Sequence, residues 1–455
     1  MKASNAVTGC DTGSPEGARQ IDEGRRSALK VLGAGAGAVA ASTLGGSLSR
    51  SAHAAPGKKA PILMDGHVHV TTRAYWEGID VWQPQATGWD FARARAAGVN
   101  MIIENLSTYG YWNYNYTPKH TLRLIENFLE IAEANQDKMG LALTVADARS
   151  IAASGRMAVF LSIESGWDHE GDIDVLRAFY RLGLRGTQFA TQTEFNDLAD
   201  DGGNPHWGGL SPNGREVIAE MNRLGMMIDI THASALSQAQ IIEASNGPVV
   251  ASHVWPAGVS AGGLSDAVIV ALAAKGGVMG IHGASGSIGN RYKAWAAANP
   301  ATAAALGAPV RNLVGYRPSF THNADIDNWG AYIARFDAET RANWLAVFKP
   351  FVDDPVAATL VPTADEWAEH VNYVIKLVGP DHVGIGLDMF GGRTGVPSDP
   401  TGYPQLVAAL NRITTPENVT KITGENWMRV LGQIFGESGC RPGPGNSGNA
   451  PGHCK

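Results

Sequence analysis

The chain has 455 residues, 44% of them hydrophobic and 17% charged, enough to bury a sizeable core and unlike the composition of a disordered polymer. A formal net charge of −7, with no basic run beyond Arg25-Arg26 and Lys58-Lys59, argues against nucleic acid as a partner. Three cysteines exclude a disulfide scaffold or a zinc ribbon, and no stretch approaches the roughly 18–20 apolar residues of a membrane span.

In chain order, residues 1–54 read as an address. Gly24-Arg25-Arg26-Ser27 is followed by a weakly apolar Gly/Ala run from Val31 to about Gly46 and by Ala52-His53-Ala54. Paired arginines, a mild hydrophobic segment and a small-x-small cleavage site resemble a twin-arginine export signal, which predicts a periplasmic or secreted protein. Residues 55–436 then carry alternating signals. Strands are predicted at Ile62–Val70, Asn100–Ser107, Met157–Glu164, Gly186–Thr191, Met226–Thr231, Pro248–Val254, Gly277–His282 and His382–Phe390. Helices are predicted at Asp90–Ala97, Pro118–Asp137, Ile173–Leu182, Pro212–Leu224, Ala235–Ser245, Asp266–Lys275, Asp365–Val378 and Glu417–Ile434. Ser211-Pro212 and Thr117-Pro118 each set a capping residue before proline, and Gly183, Gly225, Gly276 and Gly379 follow helix ends. Apolar strands separated by amphipathic helices indicate a parallel sheet, and eight such units point to a (β/α)8 TIM barrel, with a doubly wound open sheet as the alternative. Residues 284–364, between the seventh and eighth predicted strands, read as an inserted subdomain carrying Trp295, Tyr316, Trp329, Tyr332 and Trp344. Residues 437–455 form a Pro/Gly-rich tail in which Cys440 and Cys454 are candidates for a disulfide.

Catalytic groups of a (β/α)8 barrel project from the C-terminal ends of its strands. There the sequence places Asp65-Gly66-His67-Val68-His69, Glu164, Asp229-Ile230-Thr231-His232, Ser252-His253 and Asp388. His67 and His69, two apart on a strand, share a face. Together, His67, His69, His232 and His253 with Glu164 and Asp388 are a hard-to-borderline ligand set suited to two zinc-like ions, with Glu164 placed to bridge.

These motifs, together with Ile163-Glu164-Ser165-Gly166, Val175–Arg185, Asn196–Asp200, Pro248–His253 and Asp381–Asp388, resemble the membrane (renal-type) dipeptidase family, peptidase M19, of the amidohydrolase superfamily. The resemblance implies a two-zinc barrel that hydrolyses an amide bond with metal-activated water. It places His67, His69, Glu164 and Asp388 around one zinc, and Glu164, His232 and His253 around the other. Asp388 would act as proton shuttle.

Three departures accompany it. The family has Asp where this chain has His69. Its substrate-contacting His after the fourth strand falls in Ala190–Asn196, where Gln192 is the candidate substrate-binding residue, with Thr191 the alternative if the alignment slips by one; His282, ending the seventh strand, is a second candidate donor to the substrate. The family's carboxylate-binding Arg falls in Val259–Leu264, which has none. The missing cation predicts weak binding of simple dipeptides and little cost in amidating their C-terminus, unless Arg291 or Arg311 in the insertion substitutes. The aromatic run Tyr109–Tyr116 is a candidate contact at the mouth. The implied partner is a small peptide or peptide-derived substrate, and a homodimer is compatible with the chain. The alternative function is a dipeptidase-like protein without peptidase activity, maturing a peptide-derived metabolite such as a pyoverdine-type siderophore.

Overall fold

A computed structural model describes residues 61–304 and 359–436, apart from 78, 86–87, 109–116, 167, 191–196, 204 and 390–394. The export segment, the cysteine-bearing tail, Tyr109–Tyr116, Gln192, Arg311 and most of the insertion therefore lie outside the described residues.

Nine parallel strands form the sheet: β1 (Met64–Val68), β2 (Met101–Leu106), β3 (Met139–Leu141), β4 (Met157–Ile163), β5 (Leu184–Gln188), β6 (Met227–Asp229), β7 (Val250–Val254), β8 (Val278–Ile281) and β9 (Val383–Ile385). Eight pair in the order β1-β2-β4-β5-β6-β7-β8-β9, while β3 pairs only with β4. The ends of the series meet where the Asp388 amide donates to the His67 carbonyl at 3.1 Å and the Leu387 amide donates to Asp65 Oδ1 at 3.1 Å. The fold is a nearly closed (β/α)8 barrel, as the alternating signals predict.

Two apolar layers result from the period of two along each strand. Met101 and Ile103 of β2, and Ala158 and Phe160 of β4, join Met64, Val250 and Val278 in an inner cluster. The intervening Ile102, Val159 and Leu161 pack with the surrounding helices. The inner cluster includes Trp427, Leu431 and Phe435 of the last helix, Asn426–Phe435. Trp427 Nε1 donates to the Ile385 carbonyl at 3.0 Å, and a Cβ at either Gly66 or Gly384 would overlap its ring. Those two glycines admit the indole between β1 and β9.

The predicted helices are present with shifts of a few residues at their ends, except that the single helix expected over Glu417–Ile434 is broken into Pro416–Thr420, Lys421–Glu425 and Asn426–Phe435. The break is at Gly424, where a Cβ would overlap the Ile62 side chain, so the chain turns aside for the residue leading into β1. Three further helices, Val70–Glu77, Val145–Ala153 and Tyr403–Ile413, had no predicted counterpart. The described start of the insertion holds helices Ser285–Ile288 and Asn290–Ala298.

Candidate metal centre at the C-terminal rim of the barrel

Which way the β1 histidines face is settled by the register rather than by simple alternation. Met64 points into the barrel, and strict alternation from it would turn His67 and His69 outward. Between Asp65 and Val68 the register against β2 slips, so that three steps on β1 match two on β2. Val68 then joins the outer core while both histidines face the interior. The same slip occurs on β7, between Ala251 and Val254, and lets Ser252 and His253 both reach inward. Extra residues of this kind re-aim side chains beside active sites.

Buried carboxylates hold the turns that follow. Asp65 Oδ1 accepts from the amides of His67 (3.0 Å) and Leu387 (3.1 Å), and Oδ2 accepts from the Tyr403 hydroxyl. Burial pushes Asp65 up to about 6 against these hydrogen bonds. Asp229 Oδ1 accepts from the amides of Thr231 (3.0 Å) and Ser252 (3.1 Å) and from Thr231 Oγ1 (2.7 Å), tying the end of β6 to β7. His232 follows in the left-handed region, φ 67°, and Asp388 is left-handed too, φ 49°. Non-glycine residues pay about 1–3 kcal/mol for such backbones, which cluster where geometry serves function.

Glu164 lies at the middle of the cluster and divides it. Its Oε2 is 2.8 Å from His69 Nε2 and 3.7 Å from His67 Nε2. Its Oε1 is 2.9 Å from His232 Nε2 and 3.6 Å from His253 Nε2. Asp388 Oδ1 approaches His69 Nε2 at 3.4 Å and His67 Nε2 at 3.9 Å, while its Oδ2 lies 3.2 Å from His282 Nε2. His67 Nε2 and His69 Nε2 are 3.0 Å apart, as are His232 Nε2 and His253 Nε2. Ser252 Oγ lies between the Nδ1 atoms of His67 (2.9 Å) and His253 (3.0 Å).

This arrangement fits metal. Two ligands of a tetrahedral ion at about 2.0–2.1 Å stand about 3.3 Å apart, close to the spacings here. The protonation pattern agrees. His69 Nδ1 lies 2.7 Å from the Asn105 carbonyl, which can only accept, so Nδ1 carries a proton. A neutral His69 would then aim an Nε2 lone pair at the Glu164 carboxylate. Without a cation the contact needs a second proton on the ring: burial pushes His69 down, but Glu164 and Asp388 override it and raise it to about 10. Burial likewise pushes Glu164 up, but the charge on His69 and hydrogen bonds from His232, His67 and His69 hold it well below the usual carboxylate range. Burial, with His67 beside it, holds His253 well below the usual imidazole range. A metal ion bound here would replace the extra proton and neutralise the converging oxygens.

All six predicted ligand-type residues are thus brought together: five form two buried groupings that could hold an ion, His67-His69-Asp388 and His67-Glu164-His253, and His232 joins them through Glu164 at 2.9 Å. His282 meets Asp388; Gln192 is outside the described residues. Sequence reasoning did not assign the supporting roles of Asp65, Asn105, Asp229 and Ser252. Aspartate two residues before each of two candidate ligands or their turns was the available signal, since an Asx side chain commonly accepts the amide two residues on.

The profile of the membrane dipeptidases (peptidase family M19) matches residues 54–437. Among characterised relatives, the dipeptidase tcpJ of Claviceps purpurea is 29% identical over 70% of this chain, and the dipeptidase verJ of Clonostachys rogersoniana is 26% identical over 69% of it. The chain spans 60% and 65% of the length of those two proteins. Among solved structures, the probable dipeptidase PvdM of Pseudomonas aeruginosa has the same fold, with a TM-score of 0.63 at 21% identity, covering 82% of this chain and 95% of that one. The family is one of metal-dependent peptidases, in keeping with the buried His/Asp/Glu groups. This chain belongs to the membrane dipeptidase family, peptidase family M19.

Proposed function

We propose that the protein is a two-zinc hydrolase that cleaves the amide bond of a dipeptide or a modified small peptide. The observation that carries this reading is the division of Glu164, with Oε2 facing His69 and Oε1 facing His232, as a carboxylate bridging two ions would be. A related fold from Rhodobacter sphaeroides (TM-score 0.60, 18% identity) binds a phosphinate mimic of the dipeptide L-Ala-D-Ala, and the relatives named above are dipeptidases, which supports a peptide substrate.

His67, His69, Glu164 and Asp388 would hold one ion, and Glu164, His232 and His253 the other. The chemistry a zinc pair supplies when bound is Lewis acidity, which brings the pKa of water toward neutrality and polarises a carbonyl. The chain's own part is proton handling. Asp388 is buried, with one oxygen toward the histidine cluster and the other toward His282. It would take a proton from the attacking water and pass it to the nitrogen of the leaving amine. His282 Nδ1 accepts from the Ala284 amide at 2.8 Å, so its proton sits on Nε2 and donates to Asp388. That bond would orient the carboxylate, and we read His282 as a partner of Asp388 in place of the substrate donor expected from the sequence.

Metal content tests the assignment. His232→Ala or His253→Ala should each lower zinc by about one ion per chain, whereas Glu164→Ala should disturb both ions. Wild-type zinc content in all three variants would refute the two-metal reading.

A further inference from the structure

Two buried aspartates stand in equivalent places at two seams of the barrel. Asp65, on β1, accepts through Oδ1 from the amide of His67, two residues on, and from the amide of Leu387, just beyond β9. Asp229, on β6, accepts through Oδ1 from the amide of Thr231, two residues on, and from the amide of Ser252 on the neighbouring β7. Each residue so held is a candidate ligand or stands immediately before one: His67 itself, Leu387 before Asp388, Thr231 before His232 and Ser252 before His253. Each seam also carries one of the left-handed ligands, Asp388 (φ 49°) and His232 (φ 67°). Such a backbone persists only where its surroundings fix it, and the amide bonds to Asp65 and Asp229 fix the residue before each.

The second oxygen of each aspartate has a side-chain donor. Asp65 Oδ2 accepts from the Tyr403 hydroxyl, and Trp89 Nε1 donates to that hydroxyl at 2.8 Å. An indole N–H can only donate, so the Tyr403 oxygen accepts from it and turns its own proton to Asp65. Asp65, Tyr403 and Trp89 are all fully buried. Gln188 Nε2 donates to Asp229 Oδ2 at 3.3 Å. Gln188 is buried as well, and Asp229 is the one hydrogen-bond partner of its side chain among the described residues. Neither Tyr403 nor Gln188 hydrogen-bonds to a candidate ligand among those residues.

We propose that each ion is set by its own latch: Asp65 with Tyr403 for the ion of His67, His69 and Asp388, and Asp229 with Gln188 for the ion of His232 and His253. The inference rests on the two-metal reading above. Tyr403 and Gln188 are positioning residues, each acting through its aspartate on the backbone that carries two ligands of a single ion. Removing either donor leaves one carboxylate oxygen unheld, and the aspartate is then free to rotate away from the amides it ties. The ligands beside those amides lose their fixed spacing, and metal affinity is sensitive to supports of this kind. The two latches meet where Ser252 Oγ lies 2.9 Å from His67 Nδ1, so a small cross effect is expected.

The test measures zinc affinity by equilibrium dialysis in buffered zinc, in two single-ion backgrounds. His253→Ala keeps the ion on the Asp65 side; there Tyr403→Phe should weaken zinc binding about 10–100-fold, and Gln188→Leu by less than about threefold. His69→Ala keeps the ion on the Asp229 side, and there the two effects should exchange. If Tyr403→Phe does not fold, Trp89→Phe, which removes the donor to the Tyr403 hydroxyl, takes its place with the same selectivity expected. Thr231→Val, which removes the Oγ1 donor to Asp229 at 2.7 Å, does so for Gln188→Leu. Equal weakening in both backgrounds, or none in either, would overturn the proposal and leave Tyr403 and Gln188 as parts of the core. A wild type that binds fewer than two ions would overturn the two-metal reading and the latches with it. Zinc alone is the probe, so a protein that binds two ions and hydrolyses nothing would refute the hydrolytic reading while the binding data still decide the latches.

Discussion

Asp388 is held from both sides, with His67 and His69 toward Oδ1 and His282 toward Oδ2. Its backbone is left-handed, φ 49°, and its amide donates a hydrogen bond to the His67 carbonyl at 3.1 Å. Because Ala284 fixes the tautomer of His282, the donor to Asp388 is constant, and losing it should misorient the carboxylate without removing a ligand. His282→Gln should keep wild-type zinc content while kcat falls on the order of 10–100-fold, the usual cost of losing a partner that orients a metal-site group. An unchanged kcat would remove His282 from the mechanism. At this scale the ligand-type residues were legible, because His, Glu and Asp at predicted strand ends are chemically conspicuous. Their supports were not. Ser252 and Asn105 are common residue types whose roles depend on partners far away in sequence, such as Ser252 Oγ beside His67 Nδ1.

Among the elements, most of those that depend on local signals were read correctly, and those that depend on distant partners were missed. Helix Pro212–Leu224 carries its own cap, Ser211 Oγ accepting from the Gly214 amide at 2.8 Å, and its own stop, Gly225 in the left-handed conformation at φ 73°. Helix Val70–Glu77 has no such cap. Its amides at Val70, Thr71 and Thr72 are taken by Glu104, a buried carboxylate on β2, at 2.9, 2.7 and 3.1 Å. That distant cap starts the helix immediately after His69 and so positions the ligand, but no feature within 70–77 announces it. Strand β3 has three residues and pairs with β4 alone, too short for a periodic signal. Helix Val145–Ala153 was a missed opportunity, since Thr144 and Asp147 form a capping box. The register slip in β1 is likewise invisible in sequence, and Gly66, which lies within it, sits against the Trp427 ring with no room for a Cβ. Gly66→Ala should therefore push β1 off the indole. Overpacking of this kind costs about 1–3 kcal/mol, to be read from the urea midpoint, and zinc affinity should fall with it because His67 is the next residue. Wild-type stability and zinc affinity would show that the seam between β1 and β9 is slack.

Across the whole molecule, buried titrating groups other than the candidate metal ligands contribute to the response to pH. Burial lowers His169 to about 4, His370 to about 4 and, with help from Arg123 and Lys119, His120 to about 3. Unfolded histidine titrates near 6.5, so between 6.5 and about 4 the unfolded chain binds more protons and stability falls as pH falls. Asp168 and Asp65 act in the opposite sense. Burial raises each to about 6, so their contribution is present below the unfolded value of 3.8 and is lost as pH rises through about 6. The histidines therefore lower stability in acid, and the raised carboxyls, Glu104 among them, offset part of that loss. His169→Phe isolates one term: its stability should drop less than wild type between pH 6.5 and 4.5, by about 2 kcal/mol for a shift from 6.5 to about 4. Parallel pH profiles from urea unfolding would mean that His169 is protonated inside the fold.

The central claim is that the rim of this barrel holds two metal ions that together hydrolyse a peptide bond. It is tested most directly by stripping the protein of metal and following hydrolysis of alanyl-alanine as zinc is added back. The account predicts no activity in the stripped protein and a rise to a plateau at about two equivalents per chain, as expected if Glu164 bridges the pair. A plateau at one equivalent, or no hydrolysis at any zinc content, would contradict it.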